Sequence, residues 1–411
     1  MRRNSMPHAR GWFKALVVLL AGAPAALSHA QSVDPRFHVS WGMQVANGYS
    51  IPVPADAGIQ RDLVLFPGTW FGRYPAQGPH MIELAPEGKE ALYADHFERI
   101  AREIAYRIPD ENWDGYAAID WELWAPNWWM HENVPSHGAW DAEDRDFLND
   151  WRDYIRQHRA ELLEGLTLEE QEAVFARTWN EAGREFFERT VRECKRLRPN
   201  TKWGFYNLPG NQYLMWISNQ PVHTSRRAIC DDKWEEELGW MRDCVDVFYP
   251  CYYYPYKGVP GTPHYSALEI ELSTQREFIR RSSEQFMRFA QGKLVVPWVC
   301  HRYNIPQQNF PHVWTSGDGE NNDLDNMFRE TALSGVQGLV IWGSVSASTF
   351  AADSQFFTSH LFPSTQQLHL ELNPPPPPPP PGGDTGGGSG GDTGGGSGGD
   401  TGGGSGGDTG G

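Results

Sequence analysis

The chain has 411 residues and a formal net charge of −17 at pH 7. So acidic a chain is not expected to bind nucleic acid or an anionic membrane, because both require a basic surface. Its five cysteines are an odd number without the short paired spacing of a zinc site or a disulfide framework, so we expect the fold to depend mainly on an apolar core.

The first 30 residues have the pattern of a secretory signal peptide. Four basic residues precede a short apolar run at 15–20, and Ser28-His29-Ala30 provides a small-x-small cleavage site. A membrane anchor is disfavoured because the apolar run is well short of the ~20 residues that span a bilayer. The sequence therefore predicts export to the periplasm or the extracellular space, without stable membrane insertion.

Residues 31–370 are predicted to form one α/β domain. Seven short apolar runs are strand candidates, at 38–42, 62–66, 116–121, 202–206, 245–249, 294–299 and 338–342. Most are continuous rather than alternating, which is typical of parallel strands buried on both faces. Helical patterns lie between several of them, at 97–108, 168–197, 266–289 and 323–332.

This alternation of strands and helices predicts a distorted (β/α) TIM-like barrel, with seven parallel strands. A closed barrel is favoured over an open doubly wound sheet for two reasons. No glycine-rich phosphate-binding motif follows the first strand. Polar residues also gather after the carboxyl ends of the runs, which is where barrels of this kind carry their active sites.

Residues 371–411 are predicted to be a linker or tail. An unbroken proline run at 374–381 should form an extended spacer, and the GGDTGGGS repeat that follows has no apolar residue to bury. A calcium-binding β-roll is an alternative, because Asp384, Asp392, Asp400 and Asp408 recur at a fixed interval. It is disfavoured because such rolls need a regularly spaced large apolar residue.

Two carboxylates mark the third predicted strand, in the stretch GYAAIDWELWAPNWW at 115–129. Side chains alternate along a strand, so Asp120 and Glu122 should point to the same side with Cα atoms about 6.6 Å apart. Carboxyls this close compete for ionisation, and nearby aromatic rings favour one of them staying protonated. Glu122, farther along the strand, is the predicted general acid. The alternative is that the pair caps a helix or binds a cation.

The many tryptophan and tyrosine residues near the predicted barrel mouth suggest a sugar substrate, because flat C–H faces of sugars stack on such rings. Two carboxyls on one strand are poorly placed to flank a glycosidic bond from opposite sides, as ordinary retaining glycosidases require. They suit a mechanism in which the acetamido oxygen of an N-acetylhexosamine attacks its own anomeric carbon, an exception to that geometry.

The stretch at 115–129 resembles the catalytic strand of the hyaluronidases of animals and venoms. The matching residues are Gly115, Ile119, Asp120, Trp121, Glu122, Trp124, Pro126 and Trp128. Further similar blocks follow in order at 198–199, 203–206, 249–253 and 338–342. The resemblance covers roughly residues 36 to 350, and it implies a distorted barrel of seven strands.

The resemblance also implies roles for individual residues. Glu122 corresponds to the acid/base and Asp120 to the residue that orients the acetamido group. Tyr249 is similar to the tyrosine that helps position that group, and Trp342 to the tryptophan that lines its pocket. Other substrate contacts are expected at Tyr206, Tyr253, Trp124 and Tyr213. No cofactor and no metal are expected.

The chain departs from the family pattern after the fourth predicted strand. The family usually has Pro-x-Cys-Tyr-Asn, whereas this chain has Pro209 to Tyr213, so Tyr213 corresponds only if one residue is inserted. That cysteine is missing. The cysteine-rich carboxyl-terminal module of mammalian members is absent as well, replaced by the proline and glycine tail.

These observations predict a secreted endo-glycosidase that hydrolyses β-N-acetylhexosaminide bonds of a glycosaminoglycan with retention. Two alternatives remain open. One is the same chemistry on chondroitin or another N-acetylhexosamine polysaccharide, and the other is a non-catalytic carbohydrate-binding protein on a degenerate barrel. A polyanionic substrate needs a local basic lining, for which the candidates are Arg226, Arg227, Arg276 and Arg302. The oligomeric state does not follow from the sequence.

Overall fold

A computed structural model describes residues 37–133, 147–210, 221–253, 273–303, 312–313 and 323–374. The predicted signal peptide, Tyr213 and all of the tail after Pro374 lie outside these residues. The chain divides into two compact units between Asn373 and Pro374, and the fold described below belongs to the first of them.

Eight strands form among the described residues: β1 His38–Val45, β2 Leu63–Pro67, β3 Tyr116–Asp120, β4 Lys202–Phe205, β5 Val247–Phe248, β6 Leu294–Val295, β7 Trp298–Cys300 and β8 Gly338–Val345. All seven predicted runs contain a strand. The sixth run holds two, because Pro297 has no N–H group to donate to a ladder and separates β6 from β7.

Eleven α-helices occur in the same parts of the chain: α1 His80–Glu83, α2 Lys89–Arg107, α3 Trp128–Asn133, α4 Phe147–His158, α5 Leu168–Leu197, α6 Pro221–Leu238, α7 Met241–Cys244, α8 Ser273–Ala290, α9 Asp323–Leu333, α10 Phe350–Phe356 and α11 Phe362–Leu372. The bounds of α5 are those predicted. Its first turn is fixed by a capping box, in which Thr167 and Glu170 each accept a hydrogen bond from the other's backbone N–H. None of the helices in the described ranges has the length and apolar character of a membrane span.

Every ladder between the described strands is parallel. The ladders join β7 to β8 and β8 to β1, β2 to β3 and β3 to β4, and β5 to β6. Single parallel bridges join the remaining neighbours, at Ser40–Gln60, Tyr206–Tyr249 and Cys251–Trp298. Neighbouring strands therefore follow one another in a single cycle. This is the order expected of a parallel barrel, and the predicted α/β fold with parallel strands is confirmed.

Alternation along the strands sorts their side chains into two apolar clusters. The inner cluster comprises Ala118, Tyr206, Val247, Tyr249, Val296, Trp298 and Val340, against which Leu63, Leu65, Tyr116, Cys251, Tyr253, Leu294 and Trp342 pack. The intervening strand residues, such as Ile119, Phe248 and Ile341, pack with the helices in the outer cluster. All five cysteines are described, and none forms a disulfide. The apolar core therefore carries the stability of the fold, as predicted.

Polar side chains close the interior at the amino-terminal end of the strands. The Ser40 hydroxyl donates to Asp62 Oδ1 at 3.0 Å, and His38 Nε2 lies 2.9 Å from Asp62 Oδ2. The His38 ring stacks on Tyr116, with 4.9 Å between ring centroids. His38, Ser40 and Asp62 are thus hydrogen-bonded to one another, which is the usual condition of polar groups inside a protein.

Candidate active site

The carboxyl end of β3 positions two acidic side chains on the inner face of the sheet. Trp121, between them, packs into the outer cluster, where it stacks on Tyr74 at 4.7 Å and lies 5.3 Å from Phe186. Because neighbouring side chains of an extended chain point to opposite sides, Asp120 and Glu122 face the interior. The two carboxyls therefore lie on the same side, as the sequence predicts.

The turn after Glu122 is held from the outside by Tyr74. Its hydroxyl accepts a hydrogen bond from the Trp124 backbone N–H and donates to the Trp124 carbonyl, both at 2.8 Å. The Trp124 indole donates to the Pro75 carbonyl at 2.7 Å and is fully buried. The predicted substrate contact of Trp124 is therefore wrong. The residue lies past the end of the strand, where the turn directs its side chain into the outer cluster.

Burial and mutual repulsion favour protonation of the acid pair. Burial raises the pKa of Asp120 above its ordinary value. Burial, and then the negative charge of Asp120, raise the pKa of Glu122. Neither carboxyl has an ion-pair partner in the described parts of the chain, and Asp120 Oδ1 is buried there without a hydrogen bond. Glu122 is therefore in the environment that a general acid requires near neutral pH.

Four rings on the inner face form what we call the aromatic wall. Tyr206 and Tyr253 follow β4 and β5, whereas Trp298 and Trp342 lie within β7 and β8. Tyr206 lies 4.8 Å from Trp298 between centroids, and Tyr253 stacks on Trp342 at 5.5 Å with 15° between ring planes. Trp298 and Trp342 are 6.3 Å apart. The wall is therefore continuous across four strands.

Trp298 is a member of the aromatic wall that sequence reasoning missed. It lies inside the sixth predicted strand, two residues after the inward-facing Val296. The period of two along a strand could have assigned it to the inner face. Its position beside Tyr206 and Trp342, however, depends on which strands are neighbours.

The acid pair lies close to the aromatic wall. Burial raises the pKa of both Tyr206 and Tyr253, and the charge of Glu122 raises both pKa values further. The Trp342 ring stacks on Tyr253, one of these two tyrosines. Tyr206 and Tyr253 thus lie within range of the Glu122 charge, and the roles of these tyrosines and of Trp342 in binding substrate stay predictions.

Tyr249 belongs to the inner cluster, and its ring lies 6.1 Å from that of Trp298 in the aromatic wall. It is fully buried, and after burial the groups that raise its pKa are Tyr116, Asp62 and Asp246, all at or near the amino-terminal ends of strands. The predicted contact between Tyr249 and substrate stays a prediction. Tyr253, four residues farther along the chain, packs against the inner cluster, and the charge of Glu122 raises its pKa.

Several buried polar atoms on the inner face near the acid pair lack partners. Within the described residues, the indole nitrogens of Trp298 and Trp342 have no hydrogen-bond acceptor, and Asp120 Oδ1 has no donor. Unsatisfied buried groups of this kind call for an explanation, and a ligand is one. An unmatched acceptor and unmatched donors on the same inner face suit a ligand that carries both an N–H and a C=O group.

A cluster of metal-ligating residue types lies behind β7, comprising His301, His312 and Asp353. The Nε2 atoms of His301 and His312 lie 3.2 and 2.7 Å from Asp353 Oδ1, and Arg302 donates to the same oxygen at 2.5 Å. The His301 ring packs against Phe357, which belongs to the outer cluster. Arg302 therefore already balances the carboxylate charge, and the network connects β7 to α10 on the outer side of the sheet.

Two of the four arginines considered for a basic lining are engaged elsewhere in the fold. Arg302 pairs with Asp353, and Arg276 donates to Asn326 Oδ1 at 2.8 Å. The prediction that Arg302 and Arg276 line the site is not supported by these contacts.

Comparison with known proteins identifies the family to which this site belongs. The sequence profile of glycoside hydrolase family 56, described as hyaluronidase, matches residues 34–364. The chain belongs to the hyaluronidase family. The resemblance inferred from the motif at 115–129 is thereby confirmed, and the chain is a glycoside hydrolase of the hyaluronidase type.

Relatives in this hyaluronidase family match most of the chain at low identity. Hyaluronidase-3 of Rattus norvegicus is 25% identical over 360 residues, which cover 81% of this chain and 78% of the relative. Hyaluronidase-1 of Bos taurus is 26% identical over 297 residues, which cover 70% of this chain and 58% of the relative.

Among solved structures, bee venom hyaluronidase in complex with a hyaluronic acid tetramer has a TM-score of 0.54 and 17% identity. The match covers 81% of this chain and all of that one. It shows that the two hyaluronidases share a fold.

Proposed function

We propose that this hyaluronidase is an exported endo-glycosidase that cleaves β-N-acetylhexosaminide bonds with retention, assisted by the substrate's own acetamido group. The observation that carries the proposal is the acid pair itself. Asp120 and Glu122 share the inner face with raised pKa values, and Asp120 Oδ1 and the indole nitrogens of Trp298 and Trp342 on that face lack hydrogen-bond partners in the described structure. A sugar polymer as substrate is further supported by the hyaluronic acid tetramer bound to the bee venom relative.

In the first step, the Glu122 carboxyl protonates the glycosidic oxygen while the C–O bond to the anomeric carbon breaks. The acetamido oxygen forms a new bond to that carbon and gives a cyclic oxazolinium ion. Asp120 accepts a hydrogen bond from the acetamido N–H, and its negative charge stabilises the positive charge that develops on the ring. The leaving chain departs with the proton of Glu122.

In the second step, the Glu122 carboxylate takes a proton from water as the water oxygen attacks the anomeric carbon. The carbon–oxygen bond of the oxazolinium ion breaks, and the acetamido group is restored. Two displacements at one carbon retain its configuration. Glu122 ends the cycle protonated, so the same residue serves as acid and then as base.

Tyr253 and Trp342 are proposed to hold the acetamido sugar. Their rings stack on each other beside the acid pair, and the Trp342 indole N–H is available within the described structure to donate to an acetamido carbonyl. Tyr206 completes this side of the pocket through its contact with Trp298. Tyr213, outside the described residues, remains a predicted contact.

Digestion of hyaluronan, chondroitin and chitin oligomers by the wild type and by Glu122→Gln tests the proposal. The wild type should release even-numbered oligosaccharides with saturated ends from a glycosaminoglycan. Glu122→Gln should lose at least about 100-fold in kcat, because it cannot donate the proton. The thermal unfolding temperature of both proteins controls for folding.

The products and the variant discriminate between the alternatives. Unsaturated products would contradict hydrolysis and indicate a lyase. Equal activity in Glu122→Gln would remove that residue from its role. Binding without turnover of any polymer would favour the carbohydrate-binding alternative. The ranking of the polymers identifies whether hyaluronan or chondroitin is preferred.

Export is proposed from the pattern of residues 1–30. Expression of the full chain in a bacterial host, followed by amino-terminal sequencing of the exported protein, should give a sequence that begins at Gln31. Retention of an uncleaved chain inside the cell would contradict export.

A further inference from the structure

Trp70 is the most exposed large apolar side chain among the described residues, with 86% of its surface accessible. It ends the short 3₁₀ turn Gly68–Trp70, which directly follows β2. β2 is the neighbour of β3, and its last residue, Pro67, is the register partner of Asp120. Trp70 therefore lies on the same end of the sheet as the acid pair, beyond the adjacent strand.

The turn that carries Trp70 is fixed by buried residues on both sides. The rings of Phe66 and Phe71 pack at 4.6 Å, and Phe71 lies 6.3 Å from Trp121, the residue between the two acids. Gly72 follows with φ of +70°, and an added Cβ there would meet the His96 ring at 2.5 Å. The indole is thus presented to solvent by an anchored turn that contacts the catalytic strand.

Nothing in the packing of the fold requires an indole at this position. No ring contact or hydrogen bond involves the Trp70 side chain in the described structure, whereas Phe66 and Phe71 fill the core beneath it. The exposed indole contributes nothing to the apolar core, and its burial under a ligand would be favourable. Fixing the turn in advance also lowers the ordering cost of binding.

We propose that Trp70 forms an outer carbohydrate subsite, where its ring stacks on the apolar C–H face of a pyranose unit of the bound polymer. This inference rests on the proposed function, because the chain held at Asp120 and Glu122 is the one that would extend over Trp70. Stacking does not depend on charge. It can therefore bind a polyanionic chain to an acidic protein whose Arg276 and Arg302 are engaged elsewhere.

The test compares Trp70→Ala, Trp70→Tyr and the control Tyr106→Ala on the glycosaminoglycan that the wild type cleaves best. Tyr106 is 81% exposed in the last turn of α2, at the opposite end of the barrel from the acid pair. Trp70→Ala should raise KM about two- to tenfold, the range expected from loss of one aromatic contact, with kcat within about twofold. Trp70→Tyr should recover most of the loss, and Tyr106→Ala should change neither constant.

Binding in an inactive background separates this subsite from catalysis. The affinity of Glu122→Gln for hyaluronan and chondroitin oligosaccharides is compared, by calorimetry, with that of Glu122→Gln combined with Trp70→Ala. Weaker binding in the double variant supports the subsite even if the wild type cleaves no polymer, an outcome that would contradict only the proposed function. Unchanged KM and affinity in a folded Trp70→Ala protein would overturn the subsite, as would a loss confined to kcat.

Discussion

At the scale of single residues, the central feature is the effect of one carboxyl on the other. Asp120 and Glu122 share a side of the strand, and the charge of Asp120 adds to burial in raising the pKa of Glu122. The first chemical step requires Glu122 protonated, so kcat should decline as the pH rises through the pKa of Glu122. The raised pKa extends activity to higher pH.

Asp120→Asn should therefore shift the alkaline limb of the kcat profile to lower pH. The variant removes the charge that opposes ionisation of Glu122 but leaves its burial unchanged, so the pKa of Glu122 falls. The measurement is kcat from pH 4 to 9 for the wild type and the variant on one polymer. An alkaline limb that stays in place, or moves to higher pH, would contradict the coupling.

At the scale of secondary-structure elements, α5 supports the turn that carries the acids. Gly183 of α5 faces the backbone of Pro126, and a Cβ added there would lie 2.8 Å from both the Cα and the carbonyl oxygen of Pro126. Trp179, one turn earlier, donates to the Ala125 carbonyl at 3.1 Å. The helix thus approaches the turn at a contact that only glycine allows.

Gly183→Ala should destabilise the protein by about 1 to 3 kcal/mol, the usual cost of overpacking. Alanine favours a helix by about 1 kcal/mol over glycine, so helix propensity alone predicts the opposite sign. Displacement of the turn should also lower kcat. Thermal unfolding and steady-state kinetics provide the measurements.

Glu181→Ala, at an exposed position on the same helix, is the control for Gly183→Ala. It should change stability by no more than about 0.5 kcal/mol. A Gly183→Ala protein with a higher unfolding temperature and an unchanged kcat would contradict the role of the contact between α5 and Pro126 in holding the turn.

At the scale of the whole molecule, the network around Asp353 connects the end of β7 to α10. Asp353 is fully buried and pairs with Arg302, His301 and His312. These hydrogen bonds, with His301 first, lower the pKa of Asp353 against the raising effect of burial. A folded-state pKa below the unfolded value means that the paired carboxylate stabilises the protein above its unfolded pKa. That stabilisation is lost as the pH falls through about 4 and below.

Asp353→Asn should cost about 3 to 5 kcal/mol of stability at pH 7, because it leaves a buried cation uncompensated. The difference between variant and wild type should shrink as the pH falls below about 4, where the wild type begins to lose the same interaction. Urea unfolding at pH 7, 5 and 3 measures both effects. A difference that grows on acidification would contradict this account of the network.

The amino-acid sequence by itself determined the strand and helix pattern, and with it the α/β class. It also placed Asp120 and Glu122 on one side of a strand, because alternation is a local property of extended backbone. The motif around them identified the family. The sequence was less informative about strand ends and side-chain directions where the extended backbone is interrupted. Pro297 divides one predicted strand into two. The turn after Glu122 directs the Trp124 side chain into the outer cluster.

Only the tertiary structure decided which side chains surround the acid pair. The charge of Glu122 affects Tyr253 and Tyr206, Trp298 joins the aromatic wall, and Trp70 is left exposed on an anchored turn. Contact, burial and the resulting pKa values depend on neighbours that are distant in the chain. Residue type and spacing do not specify these neighbours, because strand order and packing determine which side chains cover one another.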